Sequence, residues 1–196
     1  MTDALTALEP ACSREAALAL FDSLAPVSEL SGRWRGRELS TGHPMDGLLV
    51  ASGWYGKQFD GVDSVHPLLF RDSAGDVFAV DPRRVPLGLV GKVPTAVVER
   101  GRGLLGVLKP ALRSRRYRAR LRAVEHRGVV TTAMVYDHLP IIDVFRRVDD
   151  DTVLGLMDYR NFPDPYFFVL VRENTQDGSP FARVNRGYAP DGEDLR

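Results

Sequence analysis

Short stretches in which two kinds of residue alternate strictly, bounded by turn-forming residues, constrain this chain more than any other feature. In GRWRGRE, residues 32–38, Gly32, Trp34 and Gly36 fall on one register and Arg33, Arg35 and Arg37 on the other. In YRARLRA, residues 117–123, Tyr117, Ala119, Leu121 and Ala123 alternate with Arg118, Arg120 and Arg122. Successive side chains of a strand point to opposite faces, so both stretches read as strands with one packed face and one basic outer face. The glycines flanking Trp34 leave room for a large ring or a close backbone crossing.

The same reading extends along the chain. VHPLLF and VFAV, joined by Asp72-Ser73-Ala74-Gly75-Asp76, form a hairpin by turn chemistry. GLLVASGWYGKQF adds a strand in which Gly53, Trp54 and Gly56 loosely echo the first motif. After Tyr117 come VVTTAMVYD, HLPIIDVFRRV (a strand or a short helix), the acidic turn Asp149–Asp151, TVLGLMDY, the turn NFPDP, and YFFVLVRE. Ahead of them all, Ser13 caps a helix over residues 13–24, with Ala17, Leu18, Phe21 and Leu24 on one face and Pro26 as its stop. Roughly eight to ten short strands at regular turn spacing predict a mainly β chain, an antiparallel closed or nearly closed β-barrel. The segments are an arm and helix (1–24), a first half (25–85), an irregular proline-punctuated connection with short helices (86–116), a second half (117–173) and a polar tail (174–196), in one structural unit. The connection is expected to cover the mouth of a cavity.

The chain carries 26 Lys+Arg against 26 Asp+Glu, which argues against a protein built mainly to hold nucleic acid. No apolar run has the length of a membrane span, and the N-terminus has no basic region ahead of an apolar one. Cys12 is the only cysteine, so no internal disulfide forms and a reducing, cytoplasmic location is expected.

SGRWRGREL and GWYGKQF, followed far downstream by YDHLPIIDVFRRVDDDTVLGLMDY, resemble the GXWXG-domain proteins, in which the motif region precedes a C-terminal domain of unknown function. The similarity covers roughly residues 25–85 and 120–173 and implies a pleckstrin-homology-like barrel in the second half. A weaker similarity is to lipocalins and related calycin barrels, which place a G-x-W on the first strand after a short helix. It implies that Trp34 plugs the barrel and that Arg172, on the last strand, stacks over it.

Candidate site residues follow from side-chain chemistry. Trp34 is a core anchor or a ligand wall, and Trp54, Phe145 and Met157 are expected to line the interior with it. Lys57 is either a surface lysine or a partly buried cation for a ligand carboxylate or carbonyl. Tyr136-Asp137-His138, with Asp143 nearby, is the densest titratable cluster. His138 suits a general base, with Tyr136 or Asp158 as acid; on one continuous strand Tyr136 and His138 would share a face. His43, His66, His126 and His138 lack metal-ligand spacing, so no metal and no cofactor is expected. G-x-x-x-x-G-K-[ST] and G-x-S-x-G motifs are absent, and no G-x-G-x-x-G follows a strand.

Three functions fit these residues. The first is binding of a small, largely apolar molecule (lipid, polyketide or isoprenoid) inside the barrel. The second is an acid–base isomerase or cyclase acting in the same cavity. The third is a non-catalytic module that uses the basic Arg113–Arg122 face to meet anionic lipid or a partner protein. An unpaired edge strand or an exposed arginine face would support a homodimer.

Overall fold

The computed structural model describes residues 2–9, 12–85 and 110–173. Eight strands close a ring of hydrogen bonds. In order they are β8 (Ile141–Arg147), β7 (Val129–Tyr136), β6 (Ala119–His126), β4 (Ser64–Arg71), β3 (Trp54–Gly61), β2 (Gly32–Glu38), β10 (Tyr166–Arg172) and β9 (Thr152–Tyr159), which pairs with β8 again. Every pairing is antiparallel. The short strands β1 (Ala25–Pro26) and β5 (Val77–Ala79) attach to β8 and β4 outside the ring. The result is the mainly antiparallel, barrel-like fold expected. The expected cover over 86–109 and the tail from residue 174 lie outside the described residues. Ahead of the connection the first half ends in a 3-10 turn at Pro82–Arg84, and the described part of the connection begins with a helical turn at 110–112. No helix among the described residues is long and apolar enough to cross a membrane.

The ring is not equally strong all round. β6 and β7 pair over eight residues, whereas β4 meets β6 at the single pair Val65↔Ala119. Two backbone bonds supplement that joint, Arg118 N–H to the Val65 carbonyl at 3.0 Å and Leu121 N–H to the Val62 carbonyl at 2.6 Å.

Period-two patterning survives in β2 and β6 because one face of each meets water. It is lost in IIDVF, TVLGLM and YFFVLV because β8, β9 and β10 are covered on both sides. Their inward residues, such as Phe145, Met157 and Phe168, join the interior cluster. Their outward residues, such as Val144, Leu154 and Phe167, pack under α1 (Thr2–Leu8) and α2 (Arg14–Ser23) through Leu5, Ala17, Leu20 and Phe21. This double burial makes HLPIIDVFRRV ambiguous between strand and helix in sequence; it is strand β8. Ser13 caps α2 as expected, its hydroxyl accepting from Ala16 N–H at 3.1 Å. Phe21 stands edge-on to Phe167 at 6.3 Å, which seats the helix on the sheet.

The glycines around Trp34 have distinct uses. A Cβ on Gly36 would lie 2.1 Å from the Trp54 ring, so Gly36 is the seat of that indole. Gly56 has φ +150°, and a Cβ there would lie 1.9 Å from the Trp34 carbonyl oxygen. It sits where the β3–β4 register shifts, and this irregularity lets Trp54 and Lys57 both turn inward.

Asp81 ties the turn at Pro82–Arg84 to Arg118, just ahead of β6. Its carboxylate, 1% exposed, meets Arg118 at 2.7 Å and Arg83 at 2.9 Å. The Arg83 side-chain hydrogen bond is the main reason its pKa falls from 3.8 to about 2. A depressed carboxyl contributes stability that is present above its unfolded value and lost as pH falls through its folded value. Asp81→Asn is expected to cost about 2 kcal/mol at neutral pH. In urea denaturation across a pH series, the gap from wild type should close as pH falls toward the folded value. Gly36→Ala should destabilise by about 1–3 kcal/mol through overpacking against Trp54, measured the same way.

Candidate functional site

Lys57 reaches the middle of the ring from β3, and its side chain is 3% exposed. Its Nζ lies 2.8 Å from Oδ2 of Asp143 on β8 and donates to the Pro67 carbonyl at 3.2 Å. β3 and β8 are four strands apart whichever way the ring is followed, so this ion pair spans the interior. Three aromatic faces surround the ammonium: Phe168 at 4.9 Å, and Trp54 and Tyr136 each at 5.8 Å from ring centroids. Phe168 in turn lies against Gly155, where a Cβ would meet its ring at 2.4 Å.

The cluster is electrostatically unusual. Burial pushes the Asp143 carboxyl above its ordinary value, while the Lys57 charge pulls it back. Burial, and then the Asp143 charge, push the Tyr136 phenol well above its ordinary range. Asp143 thus meets the Lys57 ammonium at 2.8 Å and also interacts with the Tyr136 hydroxyl. The Trp54 indole N–H, also buried, has no partner among the described residues. Chemically the cluster offers a carboxyl, an ammonium, a phenol and an indole N–H converging inside an apolar wall.

A second polar group shapes one end of the interior. Glu38, on the inward register of β2, accepts from Gly47 N–H at 2.8 Å and Leu49 N–H at 2.7 Å. It thereby holds the start of α3 (Leu48–Ser52). Asp46 Oδ2 accepts from the N–H groups of Thr41, Gly42 and His43. Both bring Met45, Leu48 and Leu49 onto the interior cluster. His43 Nδ1 accepts from Met45 N–H at 3.1 Å, and burial lowers its pKa, so the ring is neutral with its proton on Nε2.

The structure brings together Trp34, Trp54, Tyr136, Phe145 and Met157, and places with them Lys57, which the sequence left open between surface and interior. His138 and Asp158 do not join them. β7 ends at Tyr136 and the chain bends from Asp137, so His138 lies exposed in the β7–β8 turn rather than on the face of Tyr136. Asp158 falls on the outward register of β9 and is exposed beside His126 and Arg127. Asp143, considered from sequence only as a helper to His138, is instead the partner of Lys57. The signal for it was a lone carboxylate in an otherwise apolar strand, IIDVF. Among the described residues no group of three or more His, Cys, Asp or Glu is placed to hold a metal ion.

Trp34 is 1% exposed, and its indole N–H donates to the Ser31 carbonyl at 2.9 Å. The Arg172 guanidinium lies 4.4 Å from its ring centroid, donates to the same carbonyl at 2.8 Å and meets Asp151 at 3.3 Å. The basic outer face, by contrast, is largely compensated. Arg118 pairs with Asp81, Arg120 with Asp137 at 2.8 Å, Arg122 with Asp63 at 2.7 Å and Arg127 with Asp22 at 2.6 Å.

Two family models match the chain: GXWXG protein over residues 19–75, and a domain of unknown function, DUF4334, over residues 117–172. A crystal structure of a protein from Thermomonospora curvata is 36% identical, with a TM-score of 0.64 over 88% of this chain and 99% of that one. No curated protein matches. None of these matches carries the pleckstrin-homology-like or lipocalin resemblance.

The buried pair makes a stability prediction. Lys57→Met leaves an unpartnered buried carboxylate and is expected to cost about 3–5 kcal/mol, whereas Lys57→Met/Asp143→Leu should recover most of that loss. A carboxyl whose folded pKa is raised favours the folded state as pH falls through that value. The deficit of Lys57→Met should therefore shrink on acidification, and guanidinium denaturation across a pH series would measure it.

Proposed function

The chain belongs to the GXWXG proteins that carry a C-terminal DUF4334 domain, and from that premise we propose that it holds a small, largely apolar molecule inside the ring, polar end inward. One observation carries this reading. The interior contains hydrogen-bonding capacity that the described chain does not use, the Trp54 N–H beside the Lys57 ammonium. Buried polar groups are almost always partnered, and leaving one unpartnered costs about 1–3 kcal/mol. A ligand hydroxyl or carbonyl would meet these groups, and Phe145, Met157, Phe168 and Trp34 would contact its apolar body. The lipid, polyketide and isoprenoid classes all have this shape. The lone cysteine fits a cytoplasmic setting.

A second reading rests on the raised pKa of Asp143. An acid–base isomerase would use Asp143 to take a proton from a carbon next to a carbonyl. Lys57 or Tyr136 would donate a hydrogen bond to the oxygen that gains charge. The roles first given to His138 and Asp158 would then pass to groups inside the ring.

Native mass spectrometry of the purified full chain, followed by organic extraction, tests the binding reading. The expected result is a reproducible small organic molecule, with occupancy reduced in Lys57→Met/Asp143→Leu. Titration with farnesol and with dodecanoic acid, followed by tryptophan fluorescence, covers a ligand lost in purification. A ligand-free mass, an empty extract and no fluorescence response to either probe would overturn the proposal.

A further inference from the structure

We propose that the outside of the ring carries a separate binding site, in the cleft between β3–β5 and residues 113–117, for a small organic anion with a flat apolar body. The cleft has a volume of about 560 Å³, within the range of small-molecule sites. It lies on the opposite face of β3 from the interior cluster. Gln58 and Asp60 line it, whereas Lys57 and Phe59 turn inward.

Its floor and wall are both fixed. Leu69 and Val77 are buried there with Ala79 against them, and with Tyr55 they form a small apolar cluster separate from the interior one. The wall is held by three contacts: the bridge Val80↔Arg113, Ser114 N–H to the Ala79 carbonyl at 2.8 Å, and the Tyr117 hydroxyl to Asp60 at 3.2 Å. Tyr117 and His66 lie tilted against each other at 4.6 Å, giving the cleft an aromatic side.

The charge around this floor is predominantly positive. Arg33, Arg113 and Arg115 line the cleft against a single carboxylate, Asp60. That carboxylate is already engaged by the Tyr117 hydroxyl and by Gln58 Nε2 at 2.7 Å. Burial lowers the His66 pKa, so its ring is neutral near pH 7 and adds no charge. Arg33 is engaged with Glu173 and Gln58, which leaves the exposed Arg113 and Arg115 as the cations that turn to a ligand. Further along this face Arg118, Arg120 and Arg122 sit on carboxylates. Two guanidinium groups beside an apolar floor and an aromatic edge favour an aryl carboxylate or aryl phosphate over an inorganic ion or a neutral lipid.

The test uses the full chain and the fluorescent sulfonate 8-anilinonaphthalene-1-sulfonate. Saturable binding is expected, weakened at least about tenfold in Arg113→Ala/Arg115→Ala by the loss of charge-assisted hydrogen bonds. It should be abolished in Ala79→Glu, which places a carboxylate on the floor. The interior variant Lys57→Met/Asp143→Leu should bind the dye as wild type does. Competition with benzoate and with phenyl phosphate then shows which anion the arginines prefer. Unchanged affinity in the arginine variant would overturn the proposal. So would loss of binding in the interior variant alone, which would place the dye inside the ring, or failure of both competitors to displace it.

Discussion

The ion pair between Lys57 and Asp143 organises the interior of this protein. It joins strands on opposite sides of the ring, so every strand between them must bring its inward face to the right depth around one charged contact. The irregularity at Gly56 turns Lys57 inward, Gly36 gives the Trp54 indole its seat, and Gly155 does the same for Phe168. Each glycine thus makes room for an aromatic ring beside the ammonium or sets its approach. Desolvating two charges costs several kcal/mol per ion and offsets much of their attraction, so such a pair adds little net stability compared with an apolar filling.

Much of the remaining charge is arranged pair by pair on the outside. Overall neutrality conceals a long basic run in sequence, and the fold resolves most of that run locally, arginine against aspartate. Arg172 shows the same economy at the end of β10. One guanidinium stacks on Trp34, bonds the carbonyl that Trp34 also bonds, and meets Asp151. The lipocalin resemblance named this contact, and packing alone accounts for it: Arg172 and Trp34 are directly paired between β10 and β2.

What the sequence discloses depends on how each strand is covered. GRWRGRE and YRARLRA are readable because one face of each meets solvent, and a hairpin is readable where turn residues punctuate it. IIDVFRR is not readable by period, since the helices α1 and α2 cover the face that would otherwise have been polar. Lys57 stands out beside two aromatics, but its partner comes from the other half of the chain, and no local pattern joins them. The extrapolation from Tyr136 to His138 failed over two residues because it assumed that the strand continued past Asp137. Asp158 was misplaced for a different reason: which register of β9 faces inward is set by its neighbours β8 and β10.

The two family regions coincide with two open sheets. β2, β3 and β4 come from the first and β6 to β10 from the second, and the ring closes only at β4–β6 and β2–β10. Either sheet alone would present two raw edges and half of a charge pair. Such a fragment has little to offer natural selection, because its buried charge and free edges favour aggregation over folding. A substitution at Lys57 therefore sets the terms on which one at Asp143 is tolerated, although the two lie in different family regions.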